Sequence, residues 1–390
     1  MDNGQLTIKN KPFTVDNHSL SIVNCQLSII PRLLHFKQPA GTSRGIYTTR
    51  KVWYILLTST DNGDCWGIGE CAPLPDLSCD YSEDYESKLQ EIGKQFSQDG
   101  VIDLGLITEY PSIFFGLETA IYHYKAQSFS LWNTPFSKGE IGIPINGLIW
   151  MGEQKKMLEQ IETKLKAGFR CIKLKIGAIP FEEELTLIRQ IRQHFSSNEI
   201  EIRVDANGAF SLQEVSDKLK RLADLDLHSI EQPIQAGQWD AMASLTSSTP
   251  LPIALDEELI GHHTSREKIK LLEYIQPQYI ILKPSLHGGI YGGEEWIQEA
   301  EQRGIKWWIT SALESNIGLN AIAQWTATLQ NPLPQGLGTG MLFTDNIVMP
   351  YFLDEDLEKN RSFLHFASLL LFLRLVVLVF RLSRMFVRRG

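Results

Sequence analysis

From residue 145 onward the chain repeats one unit: a short apolar run, a turn, and a longer amphipathic stretch. The runs fall at 145–150, 171–176, 200–204, 227–230, 252–255, 279–282 and 306–309. Helix-length segments follow them at 152–166, 181–195, 211–225, 238–247, 265–273, 293–303 and 317–329. Continuous apolar strands interleaved with helices pair in parallel and lie buried on both faces. Seven repeats predict a closed (β/α) barrel, a modified TIM barrel, over an open doubly wound sheet; no glycine-rich nucleotide fingerprint follows the first run. An eighth strand near 335–338 is weak, with no convincing helix after it.

Charged residues interrupt or end these runs at intervals of 25 to 30 residues. They are Lys173 and Lys175 in Ile-Lys-Leu-Lys-Ile, Asp205 in Val-Asp-Ala-Asn, Glu231 in Glu-Gln-Pro, Asp256 in Leu-Asp-Glu and Lys283 in Leu-Lys-Pro. A buried charge is costly unless paired or bound to metal, and barrel enzymes carry their catalytic groups at the C-terminal strand ends. Taken singly, each carboxylate reads as a helix cap or salt-bridge partner, and a Lys-x-Lys as a pair snorkelling at a rim. Repeated on consecutive strands, they define a site. Alternation puts Lys173 and Lys175 on one face, and Arg203, Asp205 and Asn207 on one face of the next strand. Two neighbouring ammonium groups repel, and burial acts the same way, so a lysine with a lowered pKa is expected. Asp205, Glu231 and Asp256 are hard oxygen ligands suited to Mg²⁺, with Mn²⁺ as an alternative. His262 and His263 are adjacent, point apart, and read as a solvated loop.

Ahead of the barrel, residues 18–75 are β-rich, with a hairpin turn at Asp61-Asn62-Gly63. Helices at 82–98 and 112–127 complete an α+β cap, and the polar stretch 38–45 is either surface or a lid. The domain reading is therefore a cap at 1–135, a catalytic barrel at 136–350 and an atypical tail at 351–390. A formal charge of −9 gives no electrostatic reason for nucleic-acid binding. Five cysteines without metal spacing argue against a disulfide framework and for a reducing, cytoplasmic setting. No signal peptide is visible at the N-terminus. Residues 363–380 approach the ~20 apolar residues that span a bilayer. Arg374, His365 and the marginal length weigh against a membrane anchor, so the tail is expected to pack poorly or stay disordered. Oligomeric state is not encoded legibly.

In this order, Lys-x-Lys, Asp-Ala-Asn, Glu-Gln-Pro, Asp-Glu and Lys-Pro resemble the muconate-lactonising subgroup of the enolase superfamily, over about residues 20–350. That resemblance implies a capped barrel in which Asp205, Glu231 and Asp256 bind Mg²⁺. Lys175 and Lys283 would flank a small carboxylate substrate, and Lys173 would keep Lys175 a usable base. Arg203, the 40–45 loop with Arg44, the Gly69–Leu74 segment and Ser311–Ser315 are most similar to a dehydratase branch of that subgroup. It implies syn-dehydration of 2-succinyl-6-hydroxy-2,4-cyclohexadiene-1-carboxylate, a step of menaquinone biosynthesis. Lys175 would take the proton α to the carboxylate and return it to the departing hydroxyl, with Lys283 a stabilising cation opposite. Arg203, Asn207, Ser311, Arg44 and Gly338 are the expected substrate contacts. The rival is racemisation of an N-acylamino acid or epimerisation of a dipeptide; Gly338-Thr339-Gly340 stands where dipeptide epimerases carry Asp-x-Asp, which disfavours the latter. A catalytically inactive, membrane-tethered barrel is a remote third reading, supported by the tail alone.

Overall fold

The computed structural model describes residues 20–42, 45–61, 64–340, 342–347 and 349, together with the backbone of 351–356 and 361–366. The chain opens with an antiparallel meander of β1 (Cys25–Thr42), β2 (Gly45–Ser59) and β3 (Trp66–Cys71). Helices α1 (Tyr85–Asp99), α2 (Leu106–Glu109) and α3 (Pro111–Ala126) follow, and α3 packs on β3. That packing needs glycine. A Cβ on Gly69 would stand 2.0 Å from the Gly116 carbonyl oxygen, and one on Gly67 would stand 2.3 Å from that of Ala120. Ile55, Leu57, Phe114, Leu117 and Ile121 fill the space between sheet and helices.

After β4 (Ile143–Pro144), the barrel strands run β5 (Gly147–Ile149), β6 (Cys171–Lys175), β7 (Glu201–Asp205), β8 (Ser229–Glu231), β9 (Ile253–Leu255), β10 (Tyr279–Leu282) and β11 (Lys306–Ile309). They pair in parallel in sequence order. The alternating helices are α4 (Gln154–Lys166), α5 (Phe181–His194), α6 (Val215–Ala223), α7 (Trp239–Ser248), α8 (Ser265–Ile275), α9 (Gly289–Gln302) and α10 (Asn316–Leu329). Their buried faces, with residues such as Leu185, Ile188 and Ile191 on α5 and Leu219 and Leu222 on α6, join the outward strand residues in one core. The weak eighth strand is present as a two-residue seam. Gln335 bridges Ile145 on one side and Gly336 bridges Thr310 on the other. Four backbone bonds hold it: Asn146 N–H to Gln335 O, Gln335 N–H to Pro144 O, Gly336 N–H to Ile309 O and Ser311 N–H to Gly336 O. The barrel is closed there.

Two buried glutamates of the cap join it to the barrel. Glu118 of α3 accepts from the Ile290 and Tyr291 amides, at 2.6 and 3.1 Å, in the first turn of α9. Glu70 of β3 accepts from the Ser315 amide at 2.8 Å and the Gly318 amide at 2.7 Å, at the start of α10. Each carboxylate satisfies backbone donors that a helix N-terminus otherwise leaves open. Burial nonetheless pushes the carboxyl of Glu70 up to about 7 and that of Glu118 up to about 8.

The segment expected as a poorly packed tail begins with two paired strands, β12 (Tyr351–Asp356) and β13 (Arg361–Phe366). β13 also pairs with β4. Residues 367–390, with most of the apolar stretch weighed as an anchor, lie outside the described residues. Among the described residues no helix is long and apolar enough to cross a membrane.

Candidate active site

Strand register gathers the charges. Lys175, Asp205 and Glu231 are neighbours across β6, β7 and β8, while Asp256 and Lys283 directly follow β9 and β10. The Lys173 ammonium stands between Asp205 Oδ2 at 2.9 Å and Glu231 Oε2 at 2.5 Å. Lys175 donates to the same Asp205 oxygen at 2.9 Å and to Asn207 Oδ1 at 2.7 Å. Lys283 pairs with Asp256 Oδ2 at 2.5 Å. All three carboxylates are buried.

The electrostatics correct one expectation. Burial opposes a charged Lys173, but Asp205, Glu231 and Asp256 outweigh it and raise its pKa instead of lowering it. Lys283 is raised in the same way, burial being overcome first by Asp256. Burial works against an ionised Asp205 and Asp256, and the lysines beside them still hold both below the usual range. Glu231 goes the other way. Burial, and then the negative charge of Asp205, push it well up, although Lys173 touches it. A carboxylate squeezed between two others is short of positive charge.

Among the described residues no ready-made group of three or more metal-ligand side chains occurs. The carboxylate oxygens close on ammonium groups, with Lys173 as the cation between two of them. Glu231 Oε1 and Asp256 Oδ1 are buried without a hydrogen-bond partner among the described residues. Two orphaned hard oxygens, a third carboxylate beside them and an unmet need for positive charge fit a divalent cation.

An open cavity, about 810 Å³ with open solvent included, lies over these groups where cap and barrel meet. Lys173, Lys175, Asp205, Asn207, Glu231 and Lys283 line it, as do Ser311 and Gly338. Asn207, at φ 44°, accepts from Lys175 and donates its backbone N–H to Asp205 Oδ1 at 3.0 Å, so it fixes the lysine against the aspartate. Arg203 does not reach the cavity. It shares the inward face with Asp205 but sits two residues deeper, level with Lys173 and Ser229. There it pairs with Glu201 at 2.7 Å, donates to Pro334 O at 2.9 Å and lies 4.1 Å from the Trp308 ring. Alternation reports the face of a strand, not the depth along it. Arg44 lies outside the described residues. His263 also departs from expectation: it is buried at the cap–barrel junction, with Nε2 3.4 Å from Cys79 Sγ.

Sequence reasoning singled out the segments that hold Leu74 and Thr339 but missed other residues of the wall. Tyr47, Leu74 and Leu77 come from the cap, and Asn146, Trp150 and Thr339 from the barrel. Asn146 carried a signal, as a lone polar side chain inside the first apolar run. Tyr47 carried none, because only tertiary packing brings β2 over the barrel mouth.

Comparison with known proteins agrees with this architecture. A family model described as "Enolase C-terminal domain-like" matches residues 156–358, and one described as "MenC, N-terminal domain" matches residues 44–124. The chain belongs to the enolase superfamily. It is 45% identical, over 80% of its own length and 93% of the relative's, to the o-succinylbenzoate synthase of Desulfotalea psychrophila. The crystal structure of MenC from that organism superposes with a TM-score of 0.76 at 40% identity, covering 87% of this chain and 99% of that one. The L-Ala-D/L-Glu epimerase of Bacillus subtilis is 26% identical over 74% of this chain and 80% of its own.

Proposed function

We propose that the chain is an o-succinylbenzoate synthase, a carbon–oxygen lyase that dehydrates 2-succinyl-6-hydroxy-2,4-cyclohexadiene-1-carboxylate to 2-succinylbenzoate in menaquinone biosynthesis. One observation carries the reading: Lys175 and Lys283 open into a single cavity beside three buried carboxylates, in a chain 45% identical to such a synthase. An odd number of cysteines without a disulfide pattern supports a reducing, cytoplasmic setting.

The chemistry follows from the side chains. Lys175, steadied by Asp205 and Asn207, uses the lone pair of its free amine to take the proton α to the substrate carboxylate. Lys283, kept cationic by Asp256, faces the negative charge that develops as that proton leaves. Asp205, Glu231 and Asp256 would hold Mg²⁺, or Mn²⁺ in its place, whose charge offsets that developing on the carboxylate. Protonated Lys175 then gives its proton to the departing hydroxyl on the same face. A C–H and a C–O bond break, a ring double bond forms, water leaves, and the ring becomes aromatic. Leu74, Leu148, Trp150 and Leu313 give the ring an apolar wall, and Ser311 with Gly338 offers a polar end for the succinyl carboxylate.

The test is the loss of the diene absorbance with purified protein and Mg²⁺, against a chelator control. Lys175→Ala should lower kcat by about 10³-fold or more, within the span of general-base catalysis, with its circular dichroism unchanged. Substantial residual turnover would remove Lys175 as the base. Turnover of N-succinylamino acids in place of the diene would favour racemisation by the two lysines.

A further inference from the structure

Arg50 lies on β2, paired with Leu34, and its side chain is buried between cap and barrel. Among the described residues its guanidinium bonds no carboxylate. Nη1 donates to Pro73 O at 2.5 Å, Nη2 to Ala72 O, and Nε to Leu313 O at 3.3 Å. Two of these acceptors belong to the segment linking β3 to α1, and the third to the segment linking β11 to α10. Both segments wall the cavity, through Leu74 and Leu77 on the cap side and Ser311, Ala312 and Leu313 on the barrel side.

The barrel segment needs this support. Leu313 has φ 64°, a left-handed conformation that is unfavourable for a bulky L-residue and persists only where its surroundings impose it. The Leu313 amide donates to Ser311 Oγ at 3.0 Å, and the Ser311 hydroxyl donates to Glu314 Oε2 at 2.7 Å. Glu314 also accepts from the Ala312 amide at 2.8 Å. These bonds fix the segment internally. Arg50 is what ties its carbonyl to the cap. A planar fork with fixed donor directions sets the spacing of two loops in a way that a single ammonium cannot.

We infer that Arg50 is a positioning residue for the substrate cavity: by bridging Ala72, Pro73 and Leu313 it sets the distance between the cap wall and the barrel wall and holds Leu313 and Ser311 in place. It does not touch the reacting atoms, because Lys175 and Lys283 stand on β6 and after β10 with their own carboxylate partners. Losing the bridge therefore loosens substrate fit more than it slows proton transfer. The inference rests on the functional reading above in taking this cavity as the substrate site.

The experiment compares Arg50→Lys and Arg50→Met with wild type, with Mg²⁺ present and below the melting temperature of each variant. KM should rise about tenfold or more while kcat stays within about threefold, as expected when ground-state and transition-state binding are lost equally. Arg50→Lys should rescue only part of the loss. A merely structural arginine would lower Tm and leave KM within about twofold of wild type; that result overturns the proposal. If Arg50→Met does not fold, the Arg50→Lys KM decides alone. If wild type does not turn over the diene, the functional reading fails, and amide hydrogen exchange judges Arg50. Faster exchange confined to 311–315 in Arg50→Lys supports the bridge, and unchanged exchange overturns it.

Discussion

Glu118→Gln isolates what a buried carboxylate does at the cap–barrel junction. Glu118 is fully buried; burial raises its pKa first, Glu294 adds to the rise, and the Ile290 and Tyr291 amides oppose it, leaving the group at about 8. In the unfolded chain it ionises near its ordinary value of 4.5. Between those two values the folded state binds the extra proton, so stability is full below pH 4.5 and is lost as pH rises toward 8. The limiting slope for one group is about 1.4 kcal/mol per pH unit, which amounts to about 2–3 kcal/mol between pH 6 and 8. Glutamine mimics the neutral charge of the protonated acid but offers one acceptor oxygen to the two amides, so at pH 6 the variant should lie about 1–3 kcal/mol below wild type, with a flatter pH slope. Glu70 titrates lower, near 7, and adds the same fall to both proteins, so it cancels in the comparison. Urea unfolding at pH 6, 7 and 8 measures both slopes. Parallel slopes for wild type and Glu118→Gln would refute the argument.

Two further outcomes follow from named contacts. Glu231→Gln removes one of the oxygens short of a partner and should weaken Mg²⁺ binding at least tenfold by calorimetry, an effect of the size seen when metal-site groups are altered; an unchanged titration would exclude Glu231 as a ligand. Gly69→Ala places a methyl group 2.0 Å from the Gly116 carbonyl, so α3 must lift from β3 at a cost of about 1–3 kcal/mol or more, read as a lower urea midpoint; an unchanged midpoint would show that the two backbones are not in close contact.

The gathering of charges at the candidate site was legible in the sequence for a specific reason. Water-loving groups inside strands are so costly that Lys173, Lys175, Asp205, Glu231, Asp256 and Lys283 announced themselves, and the period of the repeat said they would meet. The same reasoning misplaced Arg203, because a strand pattern fixes the inward face without saying which residue tops the barrel. It also reversed the direction for Lys173, since the lysine pair was visible locally while the three opposing carboxylates arrive from other strands. The eighth strand was faint because Gly336 cannot be an apolar β-former: a Cβ there would stand 2.1 Å from Thr310 Oγ1. Arg50 gave no sign at all. In Thr-Thr-Arg-Lys it looks like one half of a solvated basic pair, and only the cap's seat on the barrel turns it inward.

The cap strand β1 also reaches past the barrel seam. Lys37 N–H donates to Leu342 O at 2.8 Å, Thr344 N–H to His35 O at 2.9 Å, and the His35 amide to Asp345 Oδ1 at 2.9 Å. Residues of β1 thus wait for partners made about 300 positions later. At roughly 5–20 residues per second a ribosome leaves that edge of β1 uncovered for some 15–60 seconds, a window in which an unpaired strand is open to wrong neighbours. Slow maturation is the outcome to expect when β1 must wait to be stitched to residues 342–345.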